Sequence, residues 1–347
     1  MNESVEPAKE GKISVSALCF HIGMSRQNYY AARRLRQRRE VDERLVVELV
    51  KQERRLQPRL GGRKLLYLLG DEFAEAGVTI GRDRFFEVLA ENNLLVPSKP
   101  SEARTTNSRH SLPVFHNLLA EATLTAPNQA WVSDITYIRT RMGFLYAALI
   151  TDAYSRKIVG WYIGDSLEVE GCLLALDRAL ENLPEGCYPI HHSDRGCQYC
   201  SHAYVDRLAE NSLPISMTEV MHCYENALAE RVNGILKQEY EMDWEFITKK
   251  QAVKAIEQAV YLYNNRRPHT ALNYQVPKGS RQRGLRALGR ACGCRRGHCA
   301  PLPVRAPPWG LLQSPSQHAL RSHWAPGAPP PLPPLTTFPK HTLFCKR

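Results

Sequence analysis

The chain has 347 residues, of which 43% are hydrophobic, and its formal net charge is +11. This length allows two folded domains with additional segments. Uncharged apolar runs stay far below the ~18–20 residues that span a bilayer, and the first residues lack the apolar region of a secretory signal. The composition therefore argues against a membrane-spanning or secreted protein, and we expect a cytoplasmic protein with no membrane partner.

The positive charge is distributed unevenly along the chain. From Lys278 onward there are 12 Lys and Arg residues and no Asp or Glu. Residues 1–110 contain 20 bases and 15 acids, whereas residues 111–277 contain 14 bases and 20 acids. A basic N-terminal part is typical of proteins that contact phosphates, and an acidic middle part is typical of sites that gather carboxylates around cations. Neither balance is specific by itself.

Residues 1–40 contain the pattern of two short helices. Gly23 interrupts the first apolar run, and Ser25 is suited to cap a second helix that carries Arg26 and Gln27. This layout predicts a helix–turn–helix-like segment whose second helix can enter the major groove of DNA. Two surface helices joined by a glycine turn explain the pattern equally well.

Residues 41–97 have the apolar periodicity of a second helical unit. In its later part, Gly81 can open a helix that carries Arg82 and Arg84. Two bases at a helix start predict phosphate contacts, although a solvated helix face has the same pattern. Residues 98–112 are polar and contain proline, which predicts a linker.

Residues 113–277 change to short β-rich runs and helices. Three runs separated by turns, AWVSDITYIRT, FLYAALITD and KIVGWYIG, predict an antiparallel meander. Further along, the sequence predicts a helix capped by Ser166, the strand YPIHHSD, a helix from Ser201, the strand LPISMT, a long helix from Glu225 to Tyr240, and a last helix opened by the capping box Thr248–Gln251. This order of elements predicts an α/β fold with a mixed sheet.

Residues 278–347 differ from the rest of the chain. They contain 12 of the 23 prolines, with runs such as APPPLPPL, and no acids. Such a composition cannot bury a core, so we predict a disordered tail rich in Pro and Arg. A frameshift or a chimeric gene end is the preferred explanation, and a proline-rich ligand for a partner protein is the alternative.

Three carboxylates occupy positions that favour a metal site. Asp134 lies within the predicted strand WVSDITYI, where an ionised group is costly unless it is paired or used. Asp194 ends the strand YPIHHSD, and Glu230 lies inside the helix ENALAERVNGILKQEY. There are 59 residues between Asp134 and Asp194, and 35 between Asp194 and Glu230.

These segments resemble a known family. WVSDITYI, YSRKIVGW, HSDRGCQY and ENALAERVNGILKQEY closely resemble the DDE integrase core, which retroviral integrases share with the second-reading-frame transposases of the IS3 insertion-sequence family. The gap of 35 residues before Glu230 is a signature of that family, and YNNRRPHTALNYQVP resembles its closing motif. The stretch from LGGRKLL to ENNLLVP resembles its helix–turn–helix module. The resemblance covers roughly residues 14–277, with its motifs in order.

The resemblance implies a ribonuclease-H-like mixed-sheet catalytic core at residues 113–277, preceded by small all-α helix–turn–helix segments. Asp134, Asp194 and Glu230 carry over as catalytic and metal-binding residues. The implied cofactor is a pair of Mg²⁺ ions ~3.5–4 Å apart, with Mn²⁺ as a substitute, because closely spaced cations need anionic ligands. The implied activity is metal-dependent DNA cleavage and strand transfer by a transposase. The alternative is a catalytically inert DNA-binding remnant or a repressor of the intact transposase.

Further residues are candidates for DNA contact. Lys237 falls on the same helical stripe as Glu230, and the resemblance favours a DNA contact over a solvated lysine. Asn226 shares that face and either helps to order the site or caps the helix. Arg267 and His269, in the closing motif, are candidates for DNA contact, although surface positions without a role are equally compatible with the pattern.

The family also implies partners. These are double-stranded DNA, as element ends and as target, a homo-oligomer on that DNA, and a first-reading-frame protein with a helix–turn–helix and a leucine zipper. The last is included because this chain shows no heptad run of its own. We therefore expect a cytoplasmic, nucleoid-associated protein.

Other polar clusters give weaker signals. Cys197–Cys200 is a CxxC pair that could form a zinc site with His222–Cys223, but such pairs often arise by chance. His191 and His192 precede the second aspartate and are better explained as packed strand-end histidines. Asp152 closes the second predicted strand, and we interpret it as a turn residue.

Overall fold

Helices form the N-terminal part of the protein. The structure is a computed structural model that describes residues 14–97, 112–219 and 226–292. The helices of the first range are α1 (Val15–His21), α2 (Arg26–Leu56), α3 (Gly62–Leu68), α4 (Gly70–Glu75) and α5 (Arg82–Glu91). The predicted starts of α2 and α5 are confirmed, because the Ser25 hydroxyl accepts a hydrogen bond from the Asn28 amide at 3.1 Å and Gly81 immediately precedes α5.

Helix α2 is continuous across the predicted division after residue 40. Its sequence contains no glycine or proline, and its many Arg, Leu, Glu and Gln residues favour helix. Its buried side chains lie in the second half and pack with α3 to α5, in a cluster that includes Val46, Val50, Leu65, Phe85 and Leu89. Residues 1–13 of the predicted first segment and 98–111 of the predicted linker lie outside the described residues.

A mixed five-stranded sheet forms the centre of the following part. The strands are β1 (Ala130–Thr140), β2 (Gly143–Asp152), β3 (Ile158–Gly164), β4 (Ile190–Ser193) and β5 (Ile215–Met217), in the spatial order β3-β2-β1-β4-β5. β1 and β2 pair antiparallel, as do β2 and β3, which confirms the predicted meander. β4 pairs parallel with β1, and β5 pairs parallel with β4. The predicted mixed sheet is therefore confirmed.

Helices cover both faces of this sheet. They are α6 (Val169–Glu181), α7 (His202–Glu210), α8 (Ala227–Glu239) and α9 (Lys249–Asn265). α6 and α7 pack on the face that contains Trp131 and Ile150, and α8 and α9 pack on the face that contains Ile138 and Leu149. Because side chains alternate along a strand, the even-numbered positions of β1, including that of Asp134, face α8. None of the helices in the described ranges is long and apolar enough to cross a membrane.

Local capping signals predicted most helix starts in this part. The capping box of Thr248 and Gln251 is present at the start of α9, and the Ser201 hydroxyl caps α7. Ser166 does not cap α6. Its hydroxyl accepts a hydrogen bond from the Glu168 amide at 3.1 Å within the preceding turn, and the helix begins after Glu168.

The prediction of a disordered tail from residue 278 is wrong for its first part. Pro277–Cys292 forms helix α10, in which Arg281 donates a hydrogen bond to the Asn128 side-chain oxygen at 2.6 Å. Proline is favourable at the first position of a helix, and the following Arg, Gln, Leu and Ala residues favour helix. The absence of acids in this region concealed that helical signal. Residues 293–347 of the predicted tail lie outside the described residues.

Gly160 lies where the backbones of β3 and α6 approach each other closely. A Cβ atom at this position would lie 2.1 Å from the Ala175 carbonyl oxygen and 2.7 Å from the Ala179 Cβ. We expect Gly160→Ala to lower the free energy of unfolding by about 3 kcal/mol, because the helix backbone must move. Gly70→Ala is the control, since its added Cβ would meet no atom within 4 Å. Urea denaturation checks both variants, and equal midpoints would contradict this account of the packing.

Candidate active site

Asp134 and Asp194 lie next to each other on neighbouring parallel strands, Asp134 within β1 and Asp194 directly after the last residue of β4. β1 and β4 run parallel and pair Val132 with His192 and Ser133 with Ser193. Continuing this register by one residue places Asp134 opposite Asp194, at the ~4.8 Å spacing of neighbouring strands. The sheet thus brings together two acids that are separated by 59 residues in the sequence.

Asp134 is fixed by two hydrogen bonds. The Ile135 amide donates to its Oδ1 at 2.9 Å, and the Asn233 side-chain amide donates to its Oδ2 at 2.8 Å. Burial raises the pKa of Asp134 to about 7, and the charges of Asp194 and, to a smaller extent, Glu230 act in the same direction. The two hydrogen bonds oppose this increase in pKa. Two neighbouring carboxylates destabilise the ionised form of Asp134. A site with this arrangement is favourable for binding a cation.

Glu230 lies in the first turn of α8, and its side chain is exposed. The helix starts directly after Asn226, which is 2% exposed and donates a hydrogen bond from Nδ2 to the Ser133 carbonyl oxygen at 3.0 Å. The Asn226 side chain forms no capping hydrogen bond. Of its two proposed roles, the geometry favours ordering, because this bond fixes the start of α8 to β1 one residue before Asp134.

Asn233 is a residue of the site that is not among the candidates predicted from the sequence, although a signal is available. Asn233 follows Glu230 by three residues, so both side chains lie on the same helical face. It is 7% exposed and is the residue of α8 that holds Asp134. An amide on the buried side of an otherwise apolar helix stripe, close to a glutamate, is the pattern that points to such a residue.

The loop after β4 positions Asp194. The Gly196 amide donates to Asp194 Oδ1 at 3.0 Å, and a Cβ on Gly196 would lie 3.0 Å from the same oxygen. Glycine therefore allows the backbone to approach the carboxylate closely. The preceding His191 is buried, with Nε2 at 2.8 Å from the Ser133 hydroxyl and 2.9 Å from the Tyr204 hydroxyl. Burial lowers the pKa of His191 to about 3, so it is a neutral packed residue, as predicted.

The chemistry of these acids fits divalent cations that prefer oxygen ligands. Asp194 and Glu230 both raise the pKa of Asp134, and a bound cation relieves that repulsion. Within residues 14–97, 112–219 and 226–292, no three His, Cys, Asp or Glu side chains are close enough to hold a single metal ion. In the alternative zinc site, Cys197 is exposed and Cys200 is buried, and His222–Cys223 lies outside the described residues.

Lys237 and Gly234 extend the face of α8 that carries Glu230. Lys237 is half-buried, two turns after Glu230. A Cβ on Gly234 would meet no atom within 4 Å, so the surface between the two charged residues is open. This arrangement is compatible with the predicted DNA contact of Lys237, which stays a prediction.

Three of the predicted DNA contacts in the helical part are accessible. Arg26 and Gln27 are exposed at the start of α2. The Arg82 side chain is 65% exposed and forms an ion pair with Asp83 at 2.8 Å. Because exposed pairs are weak, this one does not prevent a phosphate contact. All three stay predictions.

The remaining predicted DNA contacts are engaged by carboxylates or buried. Arg84 donates to Glu43 at 2.8 Å and to Glu87 and Glu91 at 3.0 Å, so acids surround its charge.

Arg267 is 2% exposed and binds Glu239 through Nε and Nη2, at 2.7 and 2.8 Å. His269 is 8% exposed, and burial, with help from Arg267, lowers its pKa to about 3. Neither residue presents a charge to the surface, so the structure gives no support to the predicted DNA contact of Arg267 and His269, which stays a prediction.

Asp152 is a turn residue, as predicted. It is fully buried and accepts hydrogen bonds from the Asn128 and Ser155 amides at 2.8 and 2.9 Å. Arg281 of α10 lies 3.6 Å from its Oδ2. Through these contacts the Asp152 carboxylate stabilises the turn at the end of β2, away from Asp134, Asp194 and Glu230.

Asn233 provides a test of how Asp134 is held. We expect Asn233→Ala to slow strand cleavage by about tenfold or more, because a hydrogen bond to a charged group is worth roughly 1.5–3 kcal/mol. The affinity for DNA should change little. Asn182→Ala is the control, since the exposed side chain of Asn182, directly after α6, donates to the Arg178 carbonyl oxygen at 3.4 Å. Single-turnover cleavage rates measure this effect. Equal rates for Asn233→Ala and Asn182→Ala would contradict the assignment of Asn233 to the site.

The order of the strands, with one acid within β1, a second directly after β4 and a glutamate on the covering helix, defines a ribonuclease-H-like integrase core. Comparison with known families agrees. One integrase core domain family matches residues 125–223, and a second matches residues 211–277. The chain belongs to the DDE transposases of IS3 type, which are polynucleotidyl transferases that act in transposition.

Similar proteins come from bacterial insertion sequences. A 31 kDa protein of insertion element IS600 from Shigella sonnei is 36% identical over 270 residues, covering 77% of this chain and 98% of the relative. The transposase for insertion sequence element IS629, also from Shigella sonnei, is 32% identical over 216 residues, covering 61% of this chain and 72% of the relative. Transposase InsF for IS3A from Escherichia coli K12 is 28% identical over 246 residues, covering 70% and 84%.

Among solved structures, the HTLV-2 integrase catalytic core domain in complex with magnesium is similar, with 17% identity and a TM-score of 0.36. The match covers 45% of this chain and 97% of that domain.

Proposed function

We propose that this transposase cleaves and joins DNA strands at the ends of an insertion sequence, and that Asp134, Asp194 and Glu230 are its catalytic carboxylates. The observation that carries the proposal is that Asp134, within β1, lies beside Asp194, directly after β4, with Glu230 on α8 close enough to raise the pKa of Asp134. Carboxylates that lie close together and destabilise each other's ionised forms are typical of functional sites.

The three carboxylates are the proposed ligands of two Mg²⁺ ions, with Mn²⁺ as a substitute. When bound, such ions supply an activated water or 3′-hydroxyl and stabilise the leaving oxygen of the phosphodiester. The protein's own part is to hold the ligands: Asn233 orients Asp134, and Asn226 ties the start of α8 to β1. No nucleophilic Ser or Cys is needed, because in-line attack forms no covalent enzyme intermediate.

The other parts of the chain are proposed to bind DNA. The helical unit at residues 41–97 would contact the element ends through Arg82, and the start of α2 would add Arg26 and Gln27. Lys237 would contact the DNA that reaches Glu230. As partners we propose double-stranded element ends and target DNA, a homo-oligomer on that DNA, and a first-reading-frame protein. The proposed location is the cytoplasm, in association with the nucleoid.

The experiment is a nicking and strand-joining assay on DNA that carries the element's own ends, with Mg²⁺ or Mn²⁺. We expect metal-dependent products from the natural chain and none from Asp194→Asn. A DNA without the element ends is the control for a general nuclease of the same fold, which would cut it equally well. Products from Asp194→Asn at the natural rate would contradict the assignment of the acids.

The alternative of an inert DNA-binding remnant or repressor is not favoured by the comparisons. The presence of all three acids, with the supporting contacts of Asn233 and Gly196, also argues against it. An inert protein would bind element ends and give no product with any divalent metal.

A further inference from the structure

The C-terminal end of α8 carries a partly buried carboxylate with two cationic partners. Glu239 is the last residue of α8. Lys64 of α3 donates to its Oε1 at 2.6 Å, and Arg267, just after α9, donates to both of its oxygens at 2.7 and 2.8 Å. The Glu239 and Lys64 side chains are each 15% exposed, and that of Arg267 is 2% exposed. We call Lys64, Glu239 and Arg267 the Glu239 cluster.

Several further contacts connect the same elements. The Arg59 amide donates to the Glu239 carbonyl oxygen at 3.1 Å, and the hydroxyl of Tyr240 donates to Gln57 Oε1 at 2.9 Å. Gln57 in turn donates to Glu53, which is 3% exposed and binds Arg266 at 2.7 Å. The end of α2 and the start of α3 are therefore joined to the end of α8 by polar contacts that are mostly buried.

Buried ion pairs of this kind contribute little net stability compared with apolar packing, because desolvation offsets their attraction. Their best-attested effect is to select one arrangement of the elements that carry them. Glu239 interacts with two cations from different elements, so only one placement of α3 against α8 satisfies both. Apolar side chains at these positions would tolerate neighbouring placements.

We propose that Glu239 is a positioning residue, which fixes α8 to the helical unit and thereby fixes Glu230. This proposal rests on the proposed function of Glu230. The two glutamates lie nine residues apart on one helix, about 13 Å along its axis. DNA held by the helical unit and the carboxylate at the start of α8 therefore keep a constant relation to each other. Placement of the DNA by the helical unit and its cleavage at Glu230 therefore depend on the same rigid connection, which Glu239 forms.

The closing motif YNNRRPHTALNYQVP supplies Arg267 of the Glu239 cluster and several of the contacts around it. Its residues Arg266 and Arg267 bind Glu53 and Glu239, and the His269 ring packs edge-on against Tyr263 at 5.1 Å. Tyr274 stacks on Tyr67 of α3 at 4.8 Å between ring centroids. The motif thus binds the helical unit to the core.

The test compares Lys64→Met with Arg63→Met in the full chain. Both variants remove one positive charge from α3, but Arg63 is exposed, whereas Lys64 binds Glu239. We expect Lys64→Met to slow strand joining by about tenfold, as for residues that act through others, while Arg63→Met leaves the rate unchanged. Binding of element ends, measured by fluorescence anisotropy, should be the same for both variants.

Hydrogen exchange supplies a readout that is independent of activity. In Lys64→Met, the amides of residues 227–239 should exchange faster than in the natural chain, while those of α6 should not. Glu239→Gln should give the same pattern more strongly, and Lys64→Met keeps the test valid if that variant does not fold. Exchange in α8 that is equal in Lys64→Met and Arg63→Met would overturn the proposal. If the natural chain joins no DNA, the proposed function fails, whereas the exchange result still decides whether the Glu239 cluster holds α8.

Discussion

Glu230→Gln is expected to slow single-turnover strand cleavage on the order of 10³-fold, while the Kd for element-end DNA changes less than about twofold. The amide has nearly the same shape as the carboxylate but lacks the charge that a divalent cation requires. Because Glu230 is exposed, the substitution should not alter the free energy of unfolding measurably. Loss of activity would therefore report on chemistry and not on folding.

The matched control is Glu257→Gln, an exposed glutamate on the neighbouring helix α9. It should leave cleavage unchanged at every metal concentration. Titration with Mg²⁺ and Mn²⁺ separates a weaker metal site, which high metal concentrations rescue, from a lost ligand, which they do not. Cleavage by Glu230→Gln at the rate of the control would remove Glu230 from the catalytic set.

Asp134→Asn is expected to abolish cleavage and at the same time to stabilise the metal-free protein at pH 8. The pKa of Asp134 is about 7 in the folded chain, against an ordinary value of 3.8. The carboxyl therefore ionises more easily in the unfolded chain, and its ionisation destabilises the fold. This destabilisation is absent below pH 4, grows from pH 4 to 7 and is complete above pH 7. It should reach on the order of 2–4 kcal/mol, since one pKa unit corresponds to about 1.4 kcal/mol.

Urea denaturation in the presence of EDTA, at pH 8 and at pH 4.5, measures this effect. Asp134→Asn should be more stable than the natural chain at pH 8, and the difference should fall to about 1 kcal/mol at pH 4.5. Asp152→Asn is the control, because Asp152 is also buried but accepts hydrogen bonds from two backbone amides. That variant should lose stability. A stability difference for Asp134→Asn that does not depend on pH would contradict the electrostatic account of the site.

Local patterns were sufficient to predict the elements that carry the acids. Short β-rich runs separated by turns predicted β1 and β2, and the capping box predicted the start of α9. The same local rules failed where two signals competed. The absence of acids after Pro277 concealed the helical preference of α10. The run without glycine or proline through residue 40 forms one continuous helix where two units were predicted.

The roles of the charged residues depended on distant partners. Arg267 and His269 belong to residue types that commonly contact nucleic acids. They are buried because α3 and α8 pack together at this position. The partner of Glu239 on α3 is 175 residues away in the sequence. No periodicity or spacing indicates such a pair, because it forms only when the helical unit packs against the core.

The sequence by itself determined the family, the mixed α/β core and the candidate acids Asp134, Asp194 and Glu230, because these depend on local periodicity and on motif order. The tertiary structure decided which side chains support the acids, among them Asn233, and which bases are accessible to DNA. The physical reason is that burial and charge pairing are set by atoms brought together from distant parts of the chain. The free energy of an ionised group depends on those surroundings more than on its neighbours in the sequence.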